Sequence, residues 1–338
     1  MATNVVFSAK EFEVAVQGET EGGAPLVTGM FALDVDSISM PSLNVTQSLD
    51  VRGGGSGRVF RKEDFFQDNV MRVSEISLSG RFHDDDGQNG GHVHLLRNIT
   101  GTHSGDITVP TGYTPDNIKY DGGSSTQTAN HFDTFTLAIK APSHSNGKHM
   151  VFAGCVCTNF VLSADMGTDA GQYKWSATIQ TGKVPDLDNS TDLGSVVTAY
   201  ANNNFCKLSS ATATKVNNVD VALQSFSLTI DNPAVFVGVS STGYQVVNRG
   251  AECSVTADCQ VKYDDNTDTF IHNFDTQGVT PTVMSADAFN ITASNAGGVD
   301  IDNAVFTNVA LSEGDIMMLD ISIKSVDDGT DPLVTLDF

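Results

Sequence analysis

The chain has 338 residues, with 18 Lys and Arg against 41 Asp and Glu, a formal net charge of −23. That balance excludes an electrostatic grip on nucleic acid, which needs clustered Lys and Arg against phosphates. With 40% hydrophobic and only 17% charged residues, the chain carries the apolar material of a folded protein and is not an acidic disordered tail.

The opening stretch, MATNVVFSAKEFEVAV, lacks a basic segment followed by an apolar one, and no run of about 18 apolar residues occurs. Neither a signal peptide nor a membrane span is expected. Short alternating runs follow in order: FALDV (31–35), VSEISLSGRF (73–82), FTLAIKA (135–141), MVFAGCVCTNFVLSA (150–164), YKWSATIQTG (173–182), LQSFSLTID (223–231), ECSVTADCQVKY (252–263), AVFTNVAL (304–311) and MMLDISIKS (317–325). In LQSFSLTID, Phe226, Leu228 and Ile230 share one face and Ser225, Ser227 and Thr229 the other, the pattern of a half-buried strand. Gly, Asn, Asp and Ser clusters separate the runs, which predicts an all-β sandwich or barrel with little helix. Helix is expected only around Glu63 to Gln67 and for a turn or two near Met284 to Phe289.

An internal repeat organises these runs. Asp36–Met40 aligns with Gln224–Leu228, Ile76–Phe82 with Ala257–Tyr263, and Phe160–Asp165 with Val309–Gly314, in one order and at offsets of 188, 181 and 149. The step from 188 to 181 places about seven extra residues in the loop VRGGGSGRVFRKEDFFQDN (51–69), and the step from 181 to 149 places about 32 between Phe82 and Phe160. Two domains are expected: residues 1–185, with an exposed insertion at about 99–130, and residues 186–338.

Sites for chemistry are few. His92 and His94 would share one face of a strand, close to His83 and Asp84 to Asp86, and two imidazoles with carboxylates suit a divalent ion. No third ligand stands at fixed spacing, and GRFHDDDGQNGG reads better as an exposed hairpin tip. No cofactor is expected. Cys155, Cys157, Cys206, Cys253 and Cys259 are odd in number and irregularly spaced, which suits reduced, buried thiols. The sequons at Asn44, Asn98, Asn189 and Asn290 read as accidents of an Asn- and Thr-rich chain. Trp175 reads as a core or interface aromatic. No G-x-S-x-G, P-loop or H-E-x-x-H occurs, Arg52 to Arg58 is Gly-rich without a following Lys-Ser/Thr, and no nucleophile–base pair emerges, so the chain is not expected to be an enzyme.

The ordered set resembles the two-domain major tail tube proteins of long-tailed, siphovirus-like bacteriophages. The stretches that carry the resemblance are LQSFSLTIDNPAVFVGVSSTGYQVVNRGAECSVTADCQVKYDD and MVFAGCVCTNFVLSADMGTDAGQYKWSATIQTGK, similar to the family's long hairpin and to its closing element. The resemblance implies tandem tail-tube β domains, and a structural virion protein assembled in the host cytoplasm into stacked rings that form the hollow tail. It also implies rings of three chains with pseudo-sixfold symmetry, or alternatively of six. Implied partners are copies of itself, tape-measure, tail-terminator and distal tail proteins, and double-stranded DNA in transient passage, with no membrane.

On that reading the polar residues Ser37, Ser39, Glu75, Ser77 and Ser79 of the first half, and Ser225, Ser227, Thr229, Thr256, Asp258 and Gln260 of the second, are expected to line the lumen. The acidic balance would then belong to a channel wall that lets DNA slide. Arg81 and Lys262, at matching repeat positions beside acidic turns, are expected to pair locally across an interface rather than capture DNA. The loop with Arg52, Arg58, Arg61, Lys62, Glu63 and Asp64 is expected to reach a neighbouring subunit or ring. The competing reading is a surface adhesin or carbohydrate-binding β-sandwich, which would want a secretion signal and stacked aromatics.

Overall fold

Alternation of apolar and polar residues becomes strand at every one of these runs in the computed structural model. It describes residues 12–19, 23–39, 46–49, 65–68, 73–83, 91–101, 107–109, 117–119, 134–140, 149–189, 205–238, 243–249, 252–276, 283–293, 297–312, 314 and 316–337. The first half contains β1 (Glu13–Gly18), β2 (Phe31–Leu33), β3 (Ser37–Ser39), β4 (Thr46–Leu49), β5 (Phe65–Asp68), β6 (Ser74–Arg81), α1 (Gly91–Thr100), β7 (Ile107–Val109), β8 (Asn117–Lys119), β9 (Phe135–Lys140), β10 (His149–Asp165), β11 (Lys174–Thr181) and β12 (Asp186–Asn189). The second contains β13 (Ala211–Val216), β14 (Val219–Asp220), β15 (Leu223–Asp231), β16 (Val235–Val237), β17 (Val246–Asn248), β18 (Ser254–Lys262), α2 (Asp268–Thr276), β19 (Met284–Ala293), β20 (Gly298–Ser312), β21 (Met318–Ser325) and β22 (Val334–Asp337). The fold is all-β.

The two halves carry the same antiparallel pairings. In the first, β2 pairs with β1, β1 with β9, and β9 with the start of β10, which also takes β12; farther along, β10 pairs with β11, β11 with β6 and β6 with β3. In the second, β14, β13, β19 and β20 follow one another, β22 joins the start of β20, and the rest of β20 leads to β21, β18 and β15. The segments aligned in the sequence occupy matching rungs. Ile38 faces Leu78, and Phe226 faces Cys259. Ile76 faces Ile179, and Ala257 faces Ile323. Even the irregularities match: the β10–β11 ladder slips between Cys157 and Asn159, and the β20–β21 ladder between Phe306 and Asn308, again 149 residues apart.

Four expectations are corrected. His92 and His94 lie on helix α1, not on a strand. The Glu63–Gln67 helix is replaced, where described, by strand β5 paired with β4, and the Met284–Phe289 turn by strand β19. The 99–130 excursion is not simply exposed: Ile99 and Ile107 are buried, β7 extends the ladder of β22, and β8 that of β17. Where described, this Thr- and Asn-rich segment adds two short strands to the second half.

Long strand β10 serves both layers of the first half, and its bends are held by buried polar groups. Gly154, at φ 63°, interrupts the β9–β10 ladder, and its N–H donates to the buried Glu19 carboxylate at 2.8 Å. Glu19 also accepts from Thr134 Oγ1 at 2.6 Å, Thr136 Oγ1 at 2.8 Å and the Gly23 N–H at 2.7 Å; burial raises its pKa against these donors. At the second irregularity, Cys157 N–H donates to Asn98 Oδ1 at 2.6 Å and Asn232 N–H to Thr158 O at 2.9 Å. Asn232 Nδ2 donates to Ile99 O, and Arg249 donates to Asn98 O and Oδ1 and to Asn232 O, so the end of α1 is capped by groups of the second half. Asn98→Ala removes the acceptor shared by Cys157 and Arg249, and should cost about 1–3 kcal/mol, read as a lower midpoint in denaturant unfolding.

Candidate assembly surface

Eight strands form one continuous layer in the order β3, β6, β11, β10, β15, β18, β21, β20, four from each half. Strand alternation sends Ile76, Leu78, Leu162, Leu228, Ala257 and Ile321 into the core, where all are buried. It sends the other set outward, and all eleven polar residues singled out from the sequence lie on that one outer face. Ser37 faces Ser79 and Ser39 faces Ser77. Ser225, Ser227 and Thr229 face Gln260, Asp258 and Thr256. Glu75 accepts from Gln180 Nε2 at 2.9 Å, and Gln260 Nε2 donates to Asp320 at 2.8 Å.

The charge of this face differs from expectation. On its described strands, Glu75, Asp165, Asp231, Asp258 and Asp320 are nearly balanced by Arg81, Lys174, Lys262 and Lys324. Acid collects elsewhere, as in the group Asp287, Asp300, Asp302, Asp328 and Asp331, where burial first and neighbouring carboxylates second raise the pKa of Asp300 and Asp302. Acidity is therefore not concentrated on the described outer face. Within the chain, Arg81 pairs with Asp36 at 3.7 Å and Lys262 with Asp264 at 3.4 Å.

The halves meet where β10 pairs with β15 from Asn159–Asp231 to Asp165–Ser225. Two edges of the layer have no such neighbour among the described residues: the outer edge of β3 and the last part of β20, which is the counterpart of β10. The difference registers in exposure. Leu162, under the joint, is 0% exposed, whereas its counterpart Leu311 is 46% exposed.

The imidazoles form no metal centre with each other. Two residues apart on a helix point to different sides, and His92 packs on Phe82 at 4.2 Å while His94 stacks on Phe31 at 4.6 Å. His83 meets Asp34 at 2.7 Å. Among the described residues no three His, Cys, Asp or Glu come together as ligands. Burial, with smaller contributions from His83 and His94, lowers the His92 pKa to about 3; burial, then Arg97, lowers that of His94 to about 4. Burial raises Cys157 and Cys259 to about 12, so these thiols are inert packing. Trp175 is buried, stacked on Phe160 with its Nε1–H donating to Arg81 O, and offers no sugar platform. Arg52, Arg58, Arg61, Lys62, Glu63 and Asp64 lie outside the described residues.

No family model and no curated protein matches the chain. Similar solved structures include chains from the virion of a native gene transfer agent particle and from the tail of an empty gene transfer agent particle with C6 symmetry. Both are 15% identical with a TM-score of 0.23 and cover 36% of this chain, and 84% and 82% of theirs. A likeness this slight carries no argument about role, and the pairing pattern must carry it alone.

Histidines whose folded pKa is lowered refuse protons that the unfolded chain accepts, so their contribution to stability is complete above about pH 6.5 and is lost as pH falls toward 4 and 3. Thermal midpoints should therefore drop over that window, and His92→Phe should flatten the drop whatever its effect at neutral pH.

Proposed function

We propose that the chain is a structural subunit of a viral tail tube, built from two copies of one β domain, and that copies join edge to edge into rings that stack around a channel. The observation that supports this is the β10–β15 joint, whose two halves recur at the ends of the same layer without a partner strand among the described residues. Applying the 149 and 188 offsets to the rung Ser163–Ser227 sets Ser312 of one copy opposite Ser39 of the next. Long unpaired edges invite pairing with another chain, and ring closure removes every edge at once. A head-to-tail contact of this kind closes or spirals according to its rotation, and the pseudo-sixfold ring of three chains is our preferred closure, with six chains the alternative.

On this reading the outer polar face lines the lumen. Its Ser and Thr hydroxyls and near-balanced charge hold phosphate weakly, so DNA in transit meets a wall that does not retain it. The ends of such a tube would meet tape-measure, terminator and distal tail proteins, and the mature site would be the virion tail.

The hairpins give a second line of support. In the second half, β16–β17 folds back on the first: Tyr244 N–H donates to Gly182 O, and Phe236 packs on Tyr244. Hairpin β4–β5 holds the corresponding place in the first half, and the chain between its strands carries Arg52, Arg58, Arg61 and Lys62. The same relation carries that basic stretch to the second half of the next copy, where Asp327 and Asp328 are exposed. Opposite charge there favours and steers the encounter.

Negative-stain electron microscopy of purified protein should show rings or hollow tubes. Leu311→Lys sets a charge on the open edge at a residue already exposed, and should leave a monomer of unchanged thermal midpoint that forms neither. Deleting Gly53 to Gly57 should likewise give folded chains that do not polymerise. Persistent monomers of the unaltered chain would sink the proposal.

A further inference from the structure

The turn between β20 and β21 presents Ile316 at 69% and Met317 at 47% exposure, close in the hairpin to Leu311 at 46%. Isolated exposed apolar residues need no explanation, but three at one corner of an unfilled edge do. Their counterparts in the first half explain them. Ser163 faces Lys174 across the β10–β11 ladder, and Ser312 faces Met318 across β20–β21. The residue just before each is therefore equivalent, Tyr173 in one half and Met317 in the other.

Tyr173 is the anchor of the internal joint. Its ring meets Phe226 of β15 edge-on at 5.2 Å, its hydroxyl donates to Gly297 O at 3.1 Å, and its N–H donates to Cys206 O at 2.9 Å. All three partners belong to the second half, and Tyr173 is 1% exposed. The counterpart of Phe226 at the 188 offset is Ile38 on β3, which is only partly buried against the core. Donor and receiver are thus both present in each chain, at opposite ends of the layer.

We propose that Met317, flanked by Ile316, is a hydrophobic latch that seats against Ile38 of the next copy, as Tyr173 seats against Phe226 within the chain. This rests on the edge-to-edge reading above and adds to it a side-chain anchor separate from the backbone ladder. Its occupant is a second copy of this chain. The contact is head to tail, so each copy gives one latch and receives one.

The test uses the full chain. Ile316→Lys with Met317→Lys should keep the thermal midpoint, because both side chains are exposed. It should raise the protein concentration needed for assembly, followed by light scattering and negative stain, about tenfold or more, the scale of burying one apolar side chain. The milder Met317→Gln should shift it the same way by less. A chain carrying both Ile38→Cys and Met317→Cys, treated with a short bifunctional thiol reagent, should yield a ladder of covalent multimers, whereas the two single variants mixed should stop at dimers. Normal assembly of the double-Lys variant, while Leu311→Lys fails to assemble, would overturn the latch and leave the edge joint standing. Absence of assembly in the unaltered chain would overturn both.

Discussion

Every strand edge must find a partner, and that requirement shapes this chain from residue to assembly. A ladder of backbone N–H and C=O groups left open is a template for another strand. Within the chain, β10 solves the problem by being long: its 17 residues leave the layer formed with β9 and β12 and enter a second one between β11 and β15. Such a passage needs bends, and bends strand polar backbone groups. Glu19 accepts from the donors at the first bend; at the second, Asn98 Oδ1 accepts from Cys157 N–H and Arg249, while Asn232 donates to Thr158 O and Ile99 O. These groups are buried because the bends are, and each has a hydrogen-bond partner distant in sequence, so the polar contacts tie the layers together.

The second bend also explains why α1 sits where it does. Its last carbonyls, which no helix can satisfy internally, take Asn232 and Arg249 from the opposite half. The cap of a first-half helix is thus part of the joint between halves, and loosening it would loosen the rung pattern of β10 and β15 together.

Much of this was legible in the residues. Alternation located the long strands, because a two-residue period with one buried face has few other realisations. The three weak alignments located equivalent rungs, because register admits no slip without turning the apolar face to water. The sequence alone missed α1: Val93, Leu96 and Ile99 recur at helical spacing, but His-x-His and the preceding acidic, Gly-rich run suggested a hairpin. Phe65 and Phe66 read as helix among charged neighbours, whereas pairing with β4 decides for strand. No local signal shows that Thr108 and Ile118 add to strands more than a hundred residues away. The eleven polar candidates share one face because alternation dictates it, but that face is nearly balanced in charge, since net charge says nothing about which surface carries it.

The internal joint and the proposed joint between copies share geometry but differ in how often they are made. Halves linked through a short stretch of chain meet at a high effective concentration, so the β10–β15 contact closes whenever the chain folds. The contact of β20 with the next copy's β3 has no tether and depends on protein concentration, against the mutual repulsion of chains that each carry −23. On the proposed joint, a subunit so built would assemble only when local concentration, or a template at a growing end, overcomes that repulsion. The excess acid, placed away from the described polar face, would then act between chains before assembly and leave the proposed wall nearly neutral.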